Sequence, residues 1–175
     1  TSNWKDEVDL AHLSADERDA VLRMLKPHRG MWDGRLGTVA ATSHRIAVMP
    51  GSKPVHCQPY RAGSRARVAE KQEIDRMVLQ NVIEPATCEW ASPIVLVPKP
   101  DGSLRFCVDY RKLNLITIPD TYPLPRMDEC IDSLGDAVIF TTLDCNSGYW
   151  QIPVHPDDRD KTTFTSHYGV YRFLR

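Results

Sequence analysis

Two short apolar runs on either side of an Asp-Gly turn constrain the fold of this chain most. Residues 94–97 (IVLV) and 104–108 (LRFCV) flank residues 98–103 (PKPDGS). Glycine tolerates the positive φ that tight hairpin turns require, and alternation along the second run places Arg105 opposite its apolar side chains. The sequence therefore predicts a β-hairpin with Lys99 at its tip and Arg105 projecting from its second strand.

The rest of the chain reads as a mixture of helices and strands. Ser14 and Glu17 form a capping-box pattern at the start of a helix, and Pro27 stops that helix. Asn81 predicts a left-handed stop for the second helix. The many glycines and prolines of residues 28–64 indicate a connector. The predicted helices cover 15–26, 65–81, 126–134 and a short turn from 156, and the predicted strands cover 44–48, 138–143, 162–166 and 170–174.

Composition excludes several classes of protein. The 175 residues include 22 basic, 23 acidic and 42% hydrophobic side chains, which are values typical of a globular chain. The apolar runs are too short to cross a bilayer, so no membrane association is expected. The N-terminus has no apolar signal segment, and its lack of Met suggests a piece of a longer polypeptide. Residues 35–98 carry eight basic and five acidic side chains, a mild bias that allows contact with phosphates.

The five cysteines do not indicate a disulfide framework or a zinc site. Their number is odd and no Cys-x-x-Cys occurs. We expect reduced and mostly buried thiols in an intracellular protein. The sequence also lacks the Gly-x-Ser-x-Gly pattern of serine hydrolases and the phosphate-binding Gly-x-x-x-x-Gly-Lys-Ser/Thr pattern.

Three features could carry chemistry, and each has a plainer alternative. Asp144 follows an apolar strand and precedes a small-residue turn, where a carboxylate could hold Mg²⁺, although an Asp at such a place more often only caps the turn. Lys99 and Arg105 could clamp a triphosphate or simply keep the hairpin soluble. Tyr149 could stack on a sugar or base, whereas Trp150 is better explained by core packing.

Three longer motifs connect these features with a known family. Residues 90–114 (WASPIVLVPKPDGSLRFCVDYRKLN), 117–126 (TIPDTYPLPR) and 140–152 (FTTLDCNSGYWQI) resemble the fingers and the first palm motif of reverse transcriptases. The residues of these motifs are most similar to those of Pol polyproteins of gypsy-type long-terminal-repeat retrotransposons. The resemblance implies an α+β fold in which residues 1–43 are a lead-in with one helix and residues 44–175 are the fingers and an incomplete palm.

The resemblance also implies roles for individual residues. Asp144 would be the first of three catalytic carboxylates that hold two Mg²⁺ ions, with the backbone of Cys145 as a further metal ligand. Lys99 and Arg105 would bind the triphosphate of a deoxynucleoside triphosphate, and the ring of Tyr149 would exclude a 2′ hydroxyl. The turn residues Cys145, Asn146, Ser147 and Gly148 would line the nucleotide site, and the template and primer would contact Asp109, Arg111, Asn114, Arg65, Arg67 and Lys71.

One departure from the family limits what this chain is expected to do. The sequence contains no Tyr-x-Asp-Asp motif, which supplies the other two carboxylates, and Asp157-Asp158 lacks its aromatic residue and hairpin context. The remaining palm, the thumb and the RNase H are expected from the rest of Pol. We therefore expect an RNA-directed DNA polymerase segment that is inactive alone, located in the cytoplasm, a virus-like particle or the nucleus. The alternative is a catalytically dead nucleic-acid-binding relic of a degenerate retroelement.

Overall fold

A computed structural model describes residue 5 and residues 8–175, and the chain divides into two units, Thr1–Thr38 and Val39–Arg175. The first unit contains helix α1 (Ala15–Leu25), followed by a 3₁₀ helix over Lys26–Trp32. The predicted capping box is confirmed, since the Glu17 amide donates to Ser14 Oγ and the Ser14 amide donates to Glu17 Oε2 at 3.0 Å. None of the helices in the described part is long and apolar enough to span a membrane.

The second unit is built on one mixed five-stranded sheet. Its strands are β1 (Ile83–Pro85), β2 (Ser92–Pro98), β3 (Leu104–Val108), β4 (Phe164–Ser166) and β5 (Gly169–Phe173). The strand order is β1-β5-β4-β2-β3, and every pair is antiparallel except β2 with β4. Both predicted hairpins, β2–β3 and β4–β5, are confirmed. The sequence patterns did not predict β1 or the parallel pairing that joins the two hairpins.

The core of this unit forms around the central strand β4. The Phe164 side chain is fully buried, and its ring centroid lies 5.5 Å from the centroids of both Phe106 and Phe173. Helix α2 (Ser64–Leu79) buries Ile74 and Met77 and packs against β1 and β3. Asn81 has a φ of 53°, which confirms the predicted left-handed stop after this helix.

Two predicted strands are wrong. The run at 44–48 forms only isolated bridges, His44 with Val154 and Val48 with Thr117. The run at 138–143 forms no strand, and Val138 and Ile139 are 89% and 84% exposed. An apolar run becomes a strand only where another backbone pairs with it, and no described residue pairs with this one.

Short helices occupy the rest of the unit. These are α3 (Arg111–Asn114), α4 (Met127–Asp132) and 3₁₀ helices over Gly148–Gln151 and Pro156–Thr162. Helix α4 and the helix after residue 156 confirm two predictions. The expectation of mostly buried thiols is wrong, because Cys130 and Cys145 are exposed and the other three cysteines are half-buried.

Candidate functional site

The tip of the β2–β3 hairpin is ordered by its own hydrogen bonds. The Lys99 amide donates to the Ser103 carbonyl at 2.8 Å, and the Gly102 amide donates to the Lys99 carbonyl at 3.0 Å. Gly102 has a φ of +79°, so glycine is favoured there. The Asp101 carboxylate accepts hydrogen bonds from the Ser103 hydroxyl and amide, and these bonds lower the pKa of Asp101. The tip therefore presents Lys99 on a defined turn.

The two cations of this hairpin are available to an anion. Lys99 and Arg105 are both exposed, and neither side chain forms a hydrogen bond or ion pair with any other described residue. Arg105 pairs with Val97 in the strand register, and Val97 is two residues before Lys99. Both cations are therefore carried by the same end of the hairpin. An ammonium and a guanidinium so placed can bind a polyphosphate.

Two of the three basic residues of α2 that were predicted to contact the template are engaged by other groups of the protein. Arg65 donates from Nη2 to the Gly102 carbonyl at 3.1 Å and thus contacts the hairpin tip. Lys71 forms an ion pair of 2.5 Å with Asp75. Arg67 contributes its carbonyl to the Tyr168 hydroxyl, but its side chain forms no hydrogen bond or ion pair within the described ranges. Of these three predicted template-binding residues, Arg67 is the most available.

Asp109 and Arg111 form a bidentate ion pair at the end of β3. The Arg111 guanidinium donates to the Asp109 carboxylate at 2.8 Å from Nε and 2.7 Å from Nη2, and the Tyr60 hydroxyl adds a bond of 3.1 Å. Arg111, with Tyr60, holds the pKa of Asp109 far below its usual range, and the same contact raises the pKa of Arg111. A nucleic acid that binds Arg111 would have to compete with Asp109.

Asp144 does not occupy the predicted strand end. It is exposed, it follows the unpaired run at 138–143, and no described residue makes a hydrogen bond or ion pair with its carboxylate. Among the described residues, no hydrogen bond links the Asp144 carboxylate to Lys99 or Arg105. The strand expected to end at Asp144 is therefore not formed among the described residues.

The turn after Asp144 is tightly braced internally. Ser147 adopts the left-handed conformation at φ 51°, and its carbonyl accepts the Trp150 amide at 2.9 Å. The Gln151 amide group donates to the Asn146 carbonyl at 2.8 Å. A Cβ added at Gly148 would lie 3.3 Å from the Cβ of Cys145, so this turn favours glycine. The small residues at 145–148 thus shape the backbone that carries Tyr149.

Tyr149 and Asn114, to which the family resemblance gives two different subsites, line one cavity. This cavity has a volume of about 450 Å³ and is also lined by Trp150, Tyr110 and Phe173. Tyr149 is 95% exposed, so almost all of its surface faces solvent. Trp150 is half-buried and lies under Arg76 of α2, a contact that the sequence patterns did not signal.

A complete magnesium site is not present among the described residues. No group of three or more His, Cys, Asp or Glu side chains could hold a metal ion in the part of the chain that the structure covers. One exposed carboxylate, Asp144, with the adjacent backbone of Cys145, supplies too few oxygens for a hard divalent cation. The described residues therefore do not fit two Mg²⁺ ions.

Comparisons with known proteins give concordant matches. The profile of the family described as "Reverse transcriptase (RNA-dependent DNA polymerase)" matches residues 97–173. The chain is 39% identical over 127 residues to the Pol polyprotein of transposon opus from Drosophila melanogaster, covering 70% of this chain and 13% of that protein. For the Pol polyprotein of transposon 297 from the same organism, identity is 32% over 173 residues, covering 95% and 16%.

A smaller relative and a solved structure agree. An RNA-directed DNA polymerase homolog from Oenothera berteroana is 48% identical over 71 residues, covering 41% of this chain and 50% of that protein. The crystal structure of prototype foamy virus protease-reverse transcriptase matches with a TM-score of 0.79 and 22% identity, covering 98% of this chain and 24% of that chain. This chain thus spans about a seventh of the length of the first two polyproteins.

Proposed function

We propose, from the premise that the chain belongs to the reverse transcriptase family of retrotransposon Pol polyproteins, that its β2–β3 hairpin binds the triphosphate of an incoming nucleotide. Both the resemblance to gypsy-type elements and the α+β fold expected from it are confirmed. The proposed whole activity is RNA-directed DNA synthesis. The observation that carries the proposal is the hairpin end, where Lys99 and Arg105 are exposed and without ion-pair partners among the described residues.

The proposed macromolecular partner is a template paired with a primer. Structures of the foamy viral protease-reverse transcriptase contain dsDNA in one case and an RNA/DNA hybrid in another. For this chain, the support is local: the Arg67 side chain forms no hydrogen bond or ion pair with described residues, and Asn114 and Tyr149 line the same cavity. Arg65, Lys71, Asp109 and Arg111 remain predicted contacts that would require rearrangement of the pairs described above.

Asp144 is proposed to supply one carboxylate to the reaction centre, and Tyr149 to select against a 2′ hydroxyl. The exposure of both side chains is compatible with these roles. The other carboxylates would have to come from outside the described residues. We therefore expect no primer extension by the isolated chain in Mg²⁺. Measurable extension by the purified chain, abolished by Asp144→Asn, would contradict this expectation.

Equilibrium dialysis with radiolabelled dATP tests the nucleotide proposal. We expect Lys99→Ala and Arg105→Ala each to weaken dATP binding about tenfold, because each removes one charge-assisted contact with phosphate. Lys53→Ala is a matched control, since Lys53 is an exposed lysine in the connector. Deoxyadenosine should bind equally weakly to all variants. An unchanged dATP affinity in the Lys99→Ala, Arg105→Ala double variant would refute the role of the hairpin.

Catalytically silent binding of nucleic acid is the second candidate. The unengaged Arg67 on a helix whose first half is basic favours it. A filter-binding titration of an RNA/DNA hybrid should show an affinity that falls as salt rises, with a shallower salt dependence in Arg67→Ala. Binding of the hybrid without any measurable binding of dATP would favour this candidate over the nucleotide proposal. An affinity independent of salt would exclude it.

A further inference from the structure

The contact between Arg76 and Trp150 joins helix α2 to the turn that carries Tyr149. The guanidinium carbon of Arg76 lies 4.8 Å from the centroid of the Trp150 ring, within the range of a cation–π interaction. Glu73, one helical turn earlier, accepts hydrogen bonds from Arg76 Nε at 3.0 Å and Nη2 at 2.5 Å. The guanidinium plane is therefore oriented by α2 before it meets the tryptophan ring.

The helical side of this contact is firmly anchored. Ile74, two positions before Arg76, and Met77, the residue after it, are each only 1% exposed and lie in the core. These buried neighbours hold the Arg76 backbone in place, and the two hydrogen bonds to Glu73 restrict the torsions of its side chain. Arg76 is thus an anchored contact for the exposed segment that carries Tyr149.

The other side of the contact is the turn that carries Tyr149, which follows an exposed segment. Residues 133–147, which lead into the turn, are exposed throughout, and Tyr149 itself is almost fully exposed. From outside the turn, the Val39 amide donates to the Gln151 carbonyl at 2.7 Å, and Arg76 covers Trp150. The first contact holds the end of the 3₁₀ helix, whereas the second holds the residue next to Tyr149.

We propose that Arg76 is a positioning residue for Tyr149, acting through the ring of Trp150. The role of Tyr149 in nucleotide selection rests on the proposed function, but the positioning of the turn does not. With Arg76 in place, the 3₁₀ helix over Gly148–Gln151 keeps one orientation relative to α2. Without it, the Tyr149 ring samples more orientations and discriminates less between deoxyribose and ribose.

Amide hydrogen exchange by NMR on the whole chain tests the positioning. The Trp150 amide, bonded to the Ser147 carbonyl, should exchange about three- to tenfold faster in Arg76→Met, as expected for loss of a partly exposed cation–π contact. Arg76→Lys should restore most of the protection, because it keeps a cation over the ring. Arg23→Met, at an exposed arginine of α1, is the matched control and should leave the Trp150 amide unchanged.

The amides of Ile74 and Met77 distinguish positioning from general loss of structure. They should keep wild-type exchange in Arg76→Met, and a parallel acceleration at these sites would overturn the proposal. Equal exchange of the Trp150 amide in wild type and Arg76→Met would also overturn it, as would failure of Arg76→Lys to restore protection.

Dialysis with dATP and ATP separates this inference from the proposed function. The ratio of the two affinities should fall toward one in Arg76→Met. No dATP binding by the wild-type chain would refute the proposed function, while the exchange result still decides the positioning. Faster exchange with an unchanged affinity ratio would refute the selectivity role of Tyr149 orientation and leave only the structural brace.

Discussion

Removing the Asp158 carboxylate should destabilise the second unit substantially. This residue is 2% exposed, accepts a hydrogen bond from the Ile46 amide at 3.2 Å and a short one from Lys161, and forms an ion pair with Arg45 Nε at 2.8 Å. Lys161 also donates to the Ile46 carbonyl at 2.8 Å. The carboxylate thus joins the segment around residue 46 to the 3₁₀ helix over Pro156–Thr162.

The magnitude follows from the burial of these groups. Asp158→Ala leaves the buried Ile46 amide without its acceptor and the largely buried Lys161 ammonium with the Ile46 carbonyl but no carboxylate. Losing one partner of a buried ion pair costs about 3–5 kcal/mol. The Arg45 contact adds about 0–1 kcal/mol, because that side chain is 58% exposed. Asp158→Asn should cost less, about 2 kcal/mol, since its amide oxygen can still accept the Ile46 hydrogen bond.

The pH dependence gives this prediction a second check. Burial opposes ionisation of Asp158, but Lys161, the Ile46 amide and Arg45 outweigh it and lower its pKa. A carboxyl with a depressed pKa in the folded state contributes stability above its unfolded pKa of about 4 and loses that contribution as the pH falls through the folded value. The difference between wild type and Asp158→Asn should therefore be constant near neutral pH and shrink below about pH 4.

Urea unfolding followed by circular dichroism measures these free energies. Asp160→Asn provides a control in the same 3₁₀ helix, because the Asp160 side chain is 49% exposed and its ion pair with Arg172 should contribute only about 0–1 kcal/mol. An Asp158→Ala variant within about 0.5 kcal/mol of wild type at neutral pH would refute the reasoning, since such a value is typical of surface substitutions. A stability difference between wild type and Asp158→Asn that persists undiminished in acid would refute the assigned electrostatic cause.

Three further outcomes are expected. Phe164→Ala should lower the free energy of unfolding by about 3–5 kcal/mol in urea titrations, because the ring is fully buried at the centre of the sheet; a loss under about 1 kcal/mol would contradict that packing. Gly102→Ala should cost about 1 kcal/mol in the same assay, owing to its positive φ and not to crowding, and a stabilised variant would contradict the strain. Arg111→Ala should raise the pKa of Asp109 toward its usual value in an NMR titration of the carboxyl carbon, whereas an unchanged pKa would contradict the Arg111 guanidinium as the main cause of the shift.

Local patterns predicted the local elements well. The Asp-Gly turn fixed the β2–β3 hairpin because glycine is favoured at the positive φ of Gly102, and Ser14 with Glu17 fixed the start of α1. In both cases the determining contacts span only a few residues. The capping, turn and alternation rules therefore sufficed for them.

Long-range pairing was beyond those rules. Nothing in the run at 138–143 reveals whether another strand will lie beside it, and the structure leaves it exposed. Predicting the ion pair between Arg111 and Asp109 would have required the side-chain directions at the end of β3. The contact of Arg76 with Trp150 joins residues that are 74 positions apart in the sequence. Periodicity gives the face of a residue on its own element but not its partner on another.

The order of the strands has a consequence for biosynthesis. β2 lies between β3 and β4, and the parallel register pairs Ser92 with Phe164, which is 72 positions later in the chain. At ribosomal speeds of roughly 5–20 residues per second, the start of β2 emerges about 4–14 s before the strand that completes its flank. During that interval the edge of β2 is an open template for other extended chains, so a nascent-chain chaperone is most needed between those two moments.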